Sequence, residues 1–138
     1  MGARSPIGGK ILDTPHFNAH QDVAYPIPGL VILAANRHFK CLDEMNEKEA
    51  SEFFVVTRKI RQAQRAALGI ETVYYFYNED TTHHFHLWMV PRLDWMSEFG
   101  RSIESVRPVL LHARQHLSGP EHLQQAEAAV EALRRELA

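Results

Sequence analysis

The densest concentration of reactive side chains is the stretch Thr81-Thr-His-His-Phe-His-Leu-Trp-Met-Val-Pro-Arg92. In a strand, side chains alternate, so His84, His86, Trp88 and Val90 share one face and Phe85, Leu87 and Met89 the other. The second set is wholly apolar and must face a core. The first set holds two imidazoles about 6–7 Å apart at the Cα level, from the rise of two strand residues. Neutral imidazole is abundant near pH 7, which suits nucleophilic or acid–base chemistry and also metal ligation. For a metal the third ligand stays open: Asp80 and His20 are available, and neither stands at a diagnostic spacing. His83 points to the opposite face if the strand is regular there, and toward the pair if the turn is irregular. The competing bland reading is a pair of surface or hydrogen-bonded structural histidines.

These side chains need elements to hold them. Lys10–Asp13 and Phe17–Val23 read as strands separated by the Thr14–Pro15 turn signal, and Leu30–Ala35 as a buried strand. Tyr25-Pro-Ile-Pro-Gly29 between them is too rich in proline for a central strand and reads as a rigid connection. Asn46 with Glu49 three residues later makes a capping box for a helix. Ala50, Phe53, Phe54, Ile60, Ala63 and Ala67 keep helical spacing up to the stop at Gly69. Acidic residues lead this helix and basic residues trail it, in keeping with its dipole. Val73–Tyr77 and His84–Val90 are strands around the polar turn Asn78–Thr82, and Pro91 ends the second. Ser102 is expected to cap a helix over Ile103–Leu117, and Pro120 to open a last helix with apolar Leu123, Ala126, Val130 and Leu133. The fold class is therefore α+β: an antiparallel sheet of about five strands, one main helix packed on it, and C-terminal helices. Residues 1–9 read as a flexible leader, 10–100 as the core domain, and 101–138 as its helical extension.

Composition narrows the function. The chain has 138 residues, 45% of them hydrophobic and 23% charged, as expected for one globular domain. Its formal charge of −2 lacks the basic excess of a nucleic-acid polymer binder. Cys41 is the sole cysteine, so no intrachain disulfide forms, and a reducing, cytoplasmic setting fits. No apolar run is long enough to span a membrane, and residues 1–10 lack the apolar core of a secretory signal.

His84-Phe-His-Leu-Trp-Met-Val-Pro-Arg92 resembles the motif of the histidine triad (HIT) family, with Trp88 in place of the third histidine. Gln21-Asp22, then Pro28-Gly-Leu-Val-Ile-Leu33, then Asn36-Arg-His38, is similar to that family's N-terminal stretch. The likeness runs from about Lys10 to Arg92. It implies an α+β meander, often paired as a homodimer, that acts on nucleotides at the α-phosphorus without a cofactor. By position, His86 matches the nucleophile that forms a nucleotidyl–histidine intermediate, and His84 the residue whose backbone carbonyl orients it. Asp22 matches the carboxylate that holds ribose hydroxyls, and Asn78 and Thr81 match polar groups beside the phosphate. The resemblance sets the base against apolar side chains near Ile11 and Phe17, with Trp88 a further candidate for stacking. Two positions depart from the pattern: Leu30 and Trp88 stand where the family commonly has imidazoles that touch phosphate or protonate a leaving group. The resemblance therefore implies a hydrolase or nucleotidyl transferase, and the departures imply its alternative, a nucleotide-binding module with little turnover. A metal-binding protein using His84 and His86 is the third reading.

Other features invite blander accounts. His112 and His116 are four apart on a helix without the glutamate of a metalloprotease motif, and read as solvated. Cys41 reads as a structural thiol. His38 reads as packing or capping near its turn, Arg92 as a phosphate contact or a surface ion pair, and Trp95 as packing.

Overall fold

The computed structural model describes residues 9–81 and 84–138. The leader expected over residues 1–9 lies outside these apart from Gly9, and so does His83. Five strands, β1 (Lys10–Asp13), β2 (Phe17–His20), β3 (Val31–Ala35), β4 (Val73–Phe76) and β5 (His86–Pro91), form one sheet in the order β1-β2-β3-β5-β4. Every neighbouring pair is antiparallel. The main helix α1 (Glu47–Leu68) lies between β3 and β4 in sequence, and α2 (Val106–His116) and α3 (Pro120–Leu137) close the chain. This is the α+β architecture that the alternation of strand and helix signals implies.

The alternation in β5 holds. Phe85, Leu87 and Met89 are buried in the larger core with Phe17, Ala19, Val31, Leu33 and the α1 residues Val56, Ile60 and Ala63. Val130 and Leu133 of α3 join the same core, so the apolar stripe of the last helix is a packing face. A second, smaller core lies on the opposite side of the sheet. There Val90 and Leu30 pack with Val106, Val109 and Ala113 of α2, and Trp88 and Tyr25 lie partly buried against them. The helix after Trp95 thus covers one end of the histidine face and leaves the other end open.

Three boundaries differ from the pattern reading. β2 stops at His20 because Asp22 turns the chain: its Oδ1 accepts from the Ala24 N–H at 2.9 Å, and its carbonyl accepts from Tyr25 N–H at 3.1 Å. β5 begins at His86, whereas His84 and Phe85 precede the regular ladder. Ser102 does not cap α2; it sits at φ 72°, and a short 3-10 turn over Ile103–Ser105 precedes the helix.

Two anchors fix the connections around the histidine face. Gly29, at φ 90°, lets the proline-rich segment pass so close to the end of α1 that a Cβ there would lie 2.5 Å from Ile70 Cδ1. Its carbonyl accepts from the buried Gln64 side chain at 2.9 Å. After β3, the Arg37 guanidinium donates to both oxygens of Glu49, at 2.8 and 2.9 Å, and to the Glu44 carbonyl at 2.7 Å. Glu49 and Asn46 make the expected capping box, with reciprocal bonds of 2.9 and 2.8 Å.

Candidate functional site

Strand register assembles the site. Asn18, Ala34 and His86 pair in one row across β2, β3 and β5. His20, Ile32, Trp88 and Phe76 form the next row across β2, β3, β5 and β4. With a side-chain period of two, this face opposes the main core, and a pocket of about 520 Å³ opens on it. Its walls carry His84, His86 and Trp88 from the histidine segment, His20 and Asp22 from the end of β2, Asn78 and Thr81 from the β4–β5 turn, and Arg107 from α2. Tyr25, Ile32, Phe76 and Tyr77 complete the lining.

The imidazoles form a short column. His38 stacks on His84 with ring centres 4.6 Å apart, and His84 lies 5.4 Å from His86. His38 therefore buttresses the paired histidines instead of serving only its own turn. His20, across the sheet, has its pKa lowered by burial, with the nearby Asp22 carboxylate partly opposing the shift. It is accordingly held toward the neutral form, available as donor or acceptor. Asp22 uses Oδ1 for its turn, which leaves Oδ2 for a second partner.

The turn that carries Asn78 and Thr81 is tied down by its neighbours. The Tyr77 ring packs 5.0 Å from Phe85, and its hydroxyl donates to Glu79 and accepts from the Leu42 N–H at 2.9 Å. Burial, then the adjacent Glu79 carboxylate, pushes the Tyr77 phenol up to about 12, so it remains a neutral donor throughout the working range. Asn78 follows directly and is exposed to the pocket mouth.

The expected residues do not all meet. Asp22, Asn78, Thr81, His84, His86 and Trp88 share the pocket. Ile11 and Phe17 do not: both are buried in the main core on the other face of the sheet, 6% and 0% exposed. The physical reason for Phe17 is parity, since His20 lines the pocket with Asn18 on the same face of β2, and the strand turns Phe17 and Ala19 away. Ile11 sits where the β1–β2 register shifts, and its side chain packs inward. Arg92 points elsewhere, donating to the Tyr74 hydroxyl and the Gly100 carbonyl at 3.1 Å each. Trp95 and His112 face each other at 5.4 Å, with His116 5.0 Å from His112, in a cluster that does not line the pocket. Among the described residues, no group of three or more His, Cys, Asp or Glu side chains is arranged to hold a metal ion.

Sequence reasoning missed Tyr25, Ile32, Phe76, Tyr77 and Arg107, and weighed His20 only as a metal ligand. Counting back by twos from Asp22 finds His20. Nothing local finds Arg107, whose place depends on how α2 docks.

No protein-family model matches the chain, and no curated protein sequence matches it. Solved structures do resemble it. A Hit-like protein from Bartonella henselae, described as involved in cell-cycle regulation, is 16% identical with a TM-score of 0.63, covering 94% of this chain and 86% of its own. A zinc-bound histidine triad family protein from Mycobacterium smegmatis is 20% identical with a TM-score of 0.63, over 93% of this chain and 82% of its own. A HIT family protein from Bacillus anthracis is 22% identical with a TM-score of 0.58, over 89% and 85%. With the strand order, the histidine face and these likenesses together, the chain has the histidine triad (HIT) fold.

Proposed function

We propose that this protein is a nucleotide hydrolase or nucleotidyl transferase acting at the α-phosphorus of a nucleoside phosphate, with His86 as nucleophile. The observation that carries the reading is the convergence of His84, His86, Asp22, Asn78 and Thr81 on one pocket from three separate segments. In the proposed chemistry a neutral ring nitrogen of His86 attacks the α-phosphorus. The bond from phosphorus to the leaving group breaks with its electron pair, and the leaving group takes up a proton. Water or an acceptor hydroxyl then attacks the same phosphorus, the P–N bond breaks, and the imidazole returns to its starting form. Asp22 Oδ2 is suited to accept from a ribose hydroxyl, whereas Asn78 and Thr81 offer neutral donors to phosphate oxygens. Apolar support for the base falls to Ile32 and Phe76 of the pocket wall, in place of Ile11 and Phe17.

A second reading, a nucleotide-binding module without turnover, is favoured by one specific observation. Leu30 is fully buried under α2 and Trp88 packs edge-on to Tyr25 at 5.3 Å, so neither position supplies an acid to a leaving group. Removal of one such stabilising group typically costs about 10²–10³ in rate, which slows the reaction without abolishing it. Incubation with an adenosine phosphoramidate and, in parallel, a diadenosine polyphosphate separates the two readings. The proposed enzyme releases AMP from at least one of them. Nucleotide that binds and is recovered intact would leave the binding module standing.

A further inference from the structure

The two positions where imidazoles are absent are covered by one helix, and that helix supplies a charge. Leu30 and Trp88 pack against α2. From α2, Arg107 reaches the wall of the histidine pocket, where it is the only Lys or Arg side chain among the described residues that line it. Arg107 is exposed, and no ion pair or hydrogen bond holds it among the described residues. One carboxylate, Asp22, shares the lining. Seven residues on, Arg114 lies over the Tyr25 ring with its guanidinium carbon 5.7 Å from the ring centre. The α2 face at this end of the pocket is thus cationic, beside an aromatic wall of Tyr25 and Trp88.

From this arrangement we propose that Arg107 binds the phosphates beyond the α-phosphorus, and that the site selects nucleotides with an anionic polyphosphate leaving group over those with an amine. The inference rests on the nucleotide reading above and gives it a substrate class. A guanidinium presents a planar fork that matches phosphate oxygens and stays charged at any working pH. Imidazole at Leu30 or Trp88 would provide a donor whose charge varies near neutrality, whereas Arg107 provides a fixed one. An amine leaving group carries no negative charge for it to meet. A polyphosphate chain carries several.

Calorimetric binding of AMP and ATP to the whole protein tests this without depending on turnover. The intact protein is expected to bind ATP about tenfold tighter than AMP, the size of one charge-assisted contact. Arg107→Ala should bring the ATP-to-AMP affinity ratio down to near one, and Arg107→Lys should restore part of it. A ratio unchanged in Arg107→Ala, with both nucleotides bound, would overturn the inference while leaving the nucleotide reading intact. Failure of the intact protein to bind either nucleotide would overturn both. Far-ultraviolet circular dichroism and the melting temperature of both variants should match the intact protein, since Arg107 is exposed; if Arg107→Ala unfolds α2, Arg107→Lys decides, and a ratio unchanged in it would overturn the inference.

Discussion

His86→Ala should lower the release of AMP by at least about 10³-fold while nucleotide binding survives, because covalent catalysis has no substitute once its nucleophile is removed. The retained binding follows from geometry. Asp22, Asn78, Thr81 and Arg107 line the pocket from segments other than β5, so truncating one imidazole leaves them in place. Steady-state AMP release beside calorimetric titration of the same preparations checks both halves. Equal turnover in the two proteins would remove His86 from the chemistry and return the protein to the binding-module reading. Loss of binding together with turnover would show that His86 supports the pocket itself. His84→Ala is a softer perturbation of the same column, since it removes the ring between His38 and His86.

The second large effect concerns stability. Glu49→Ala should destabilise the fold by about 2–4 kcal/mol, since it removes two bonds to a guanidinium and one half of the α1 capping box. Glu49 is 1% exposed, and its partner Arg37 reaches it from the turn after β3. The hydrogen bonds from Arg37 and then from the Asn46 N–H hold the Glu49 carboxyl down at about 2, below the ordinary 4.5. The sign follows directly. A carboxyl with a depressed pKa in the folded state contributes stability that is complete above about pH 4.5 and fades as pH falls toward 2. Urea unfolding of the natural protein and of Glu49→Ala should therefore show a wide gap at pH 7 that narrows steadily between pH 5 and pH 2. A gap independent of pH would mean that the cost comes from lost packing and helix capping, with no part for the charge. Because the Arg37–Glu49 link joins the segment bearing His38 to α1, the variant should also loosen the imidazole column.

Much of this was legible in the residues. The capping box at Asn46 and Glu49, the stop at Gly69 and the alternation through β5 are local signals, written in neighbours three or two apart. Those signals located the helix and the strand face that carries His84 and His86. Where the structure departs from the pattern, the cause lies outside the local run of residue types. Family likeness puts Phe17 and Ile11 beside the nucleotide, whereas strand parity and a register shift send them into the core. The pattern carries β2 too far because Gln21-Asp22-Val23 continues a strand-like run, and only the Asx turn at Asp22 ends it. Ser102 has the residue type of a cap but a left-handed backbone, which local composition does not reveal. Arg107 illustrates the deeper limit. Its neighbours in sequence describe an ordinary amphipathic helix, and its place in the pocket arises from the burial of Leu30 and Val90 beneath α2. Tertiary packing, not spacing, decides which side chains from distant segments meet.

The most direct test of the nucleotidyl-transfer account is to capture the intermediate. Protein mixed with a diadenosine polyphosphate labelled at the α-phosphorus is quenched in alkaline denaturant, which preserves acid-labile P–N bonds, and its peptides are mapped by mass spectrometry. The account predicts an adenylyl group on the peptide containing His86, formed before AMP accumulates and absent from His86→Ala. Verified turnover with no adduct, or an adduct on a different residue, would contradict it.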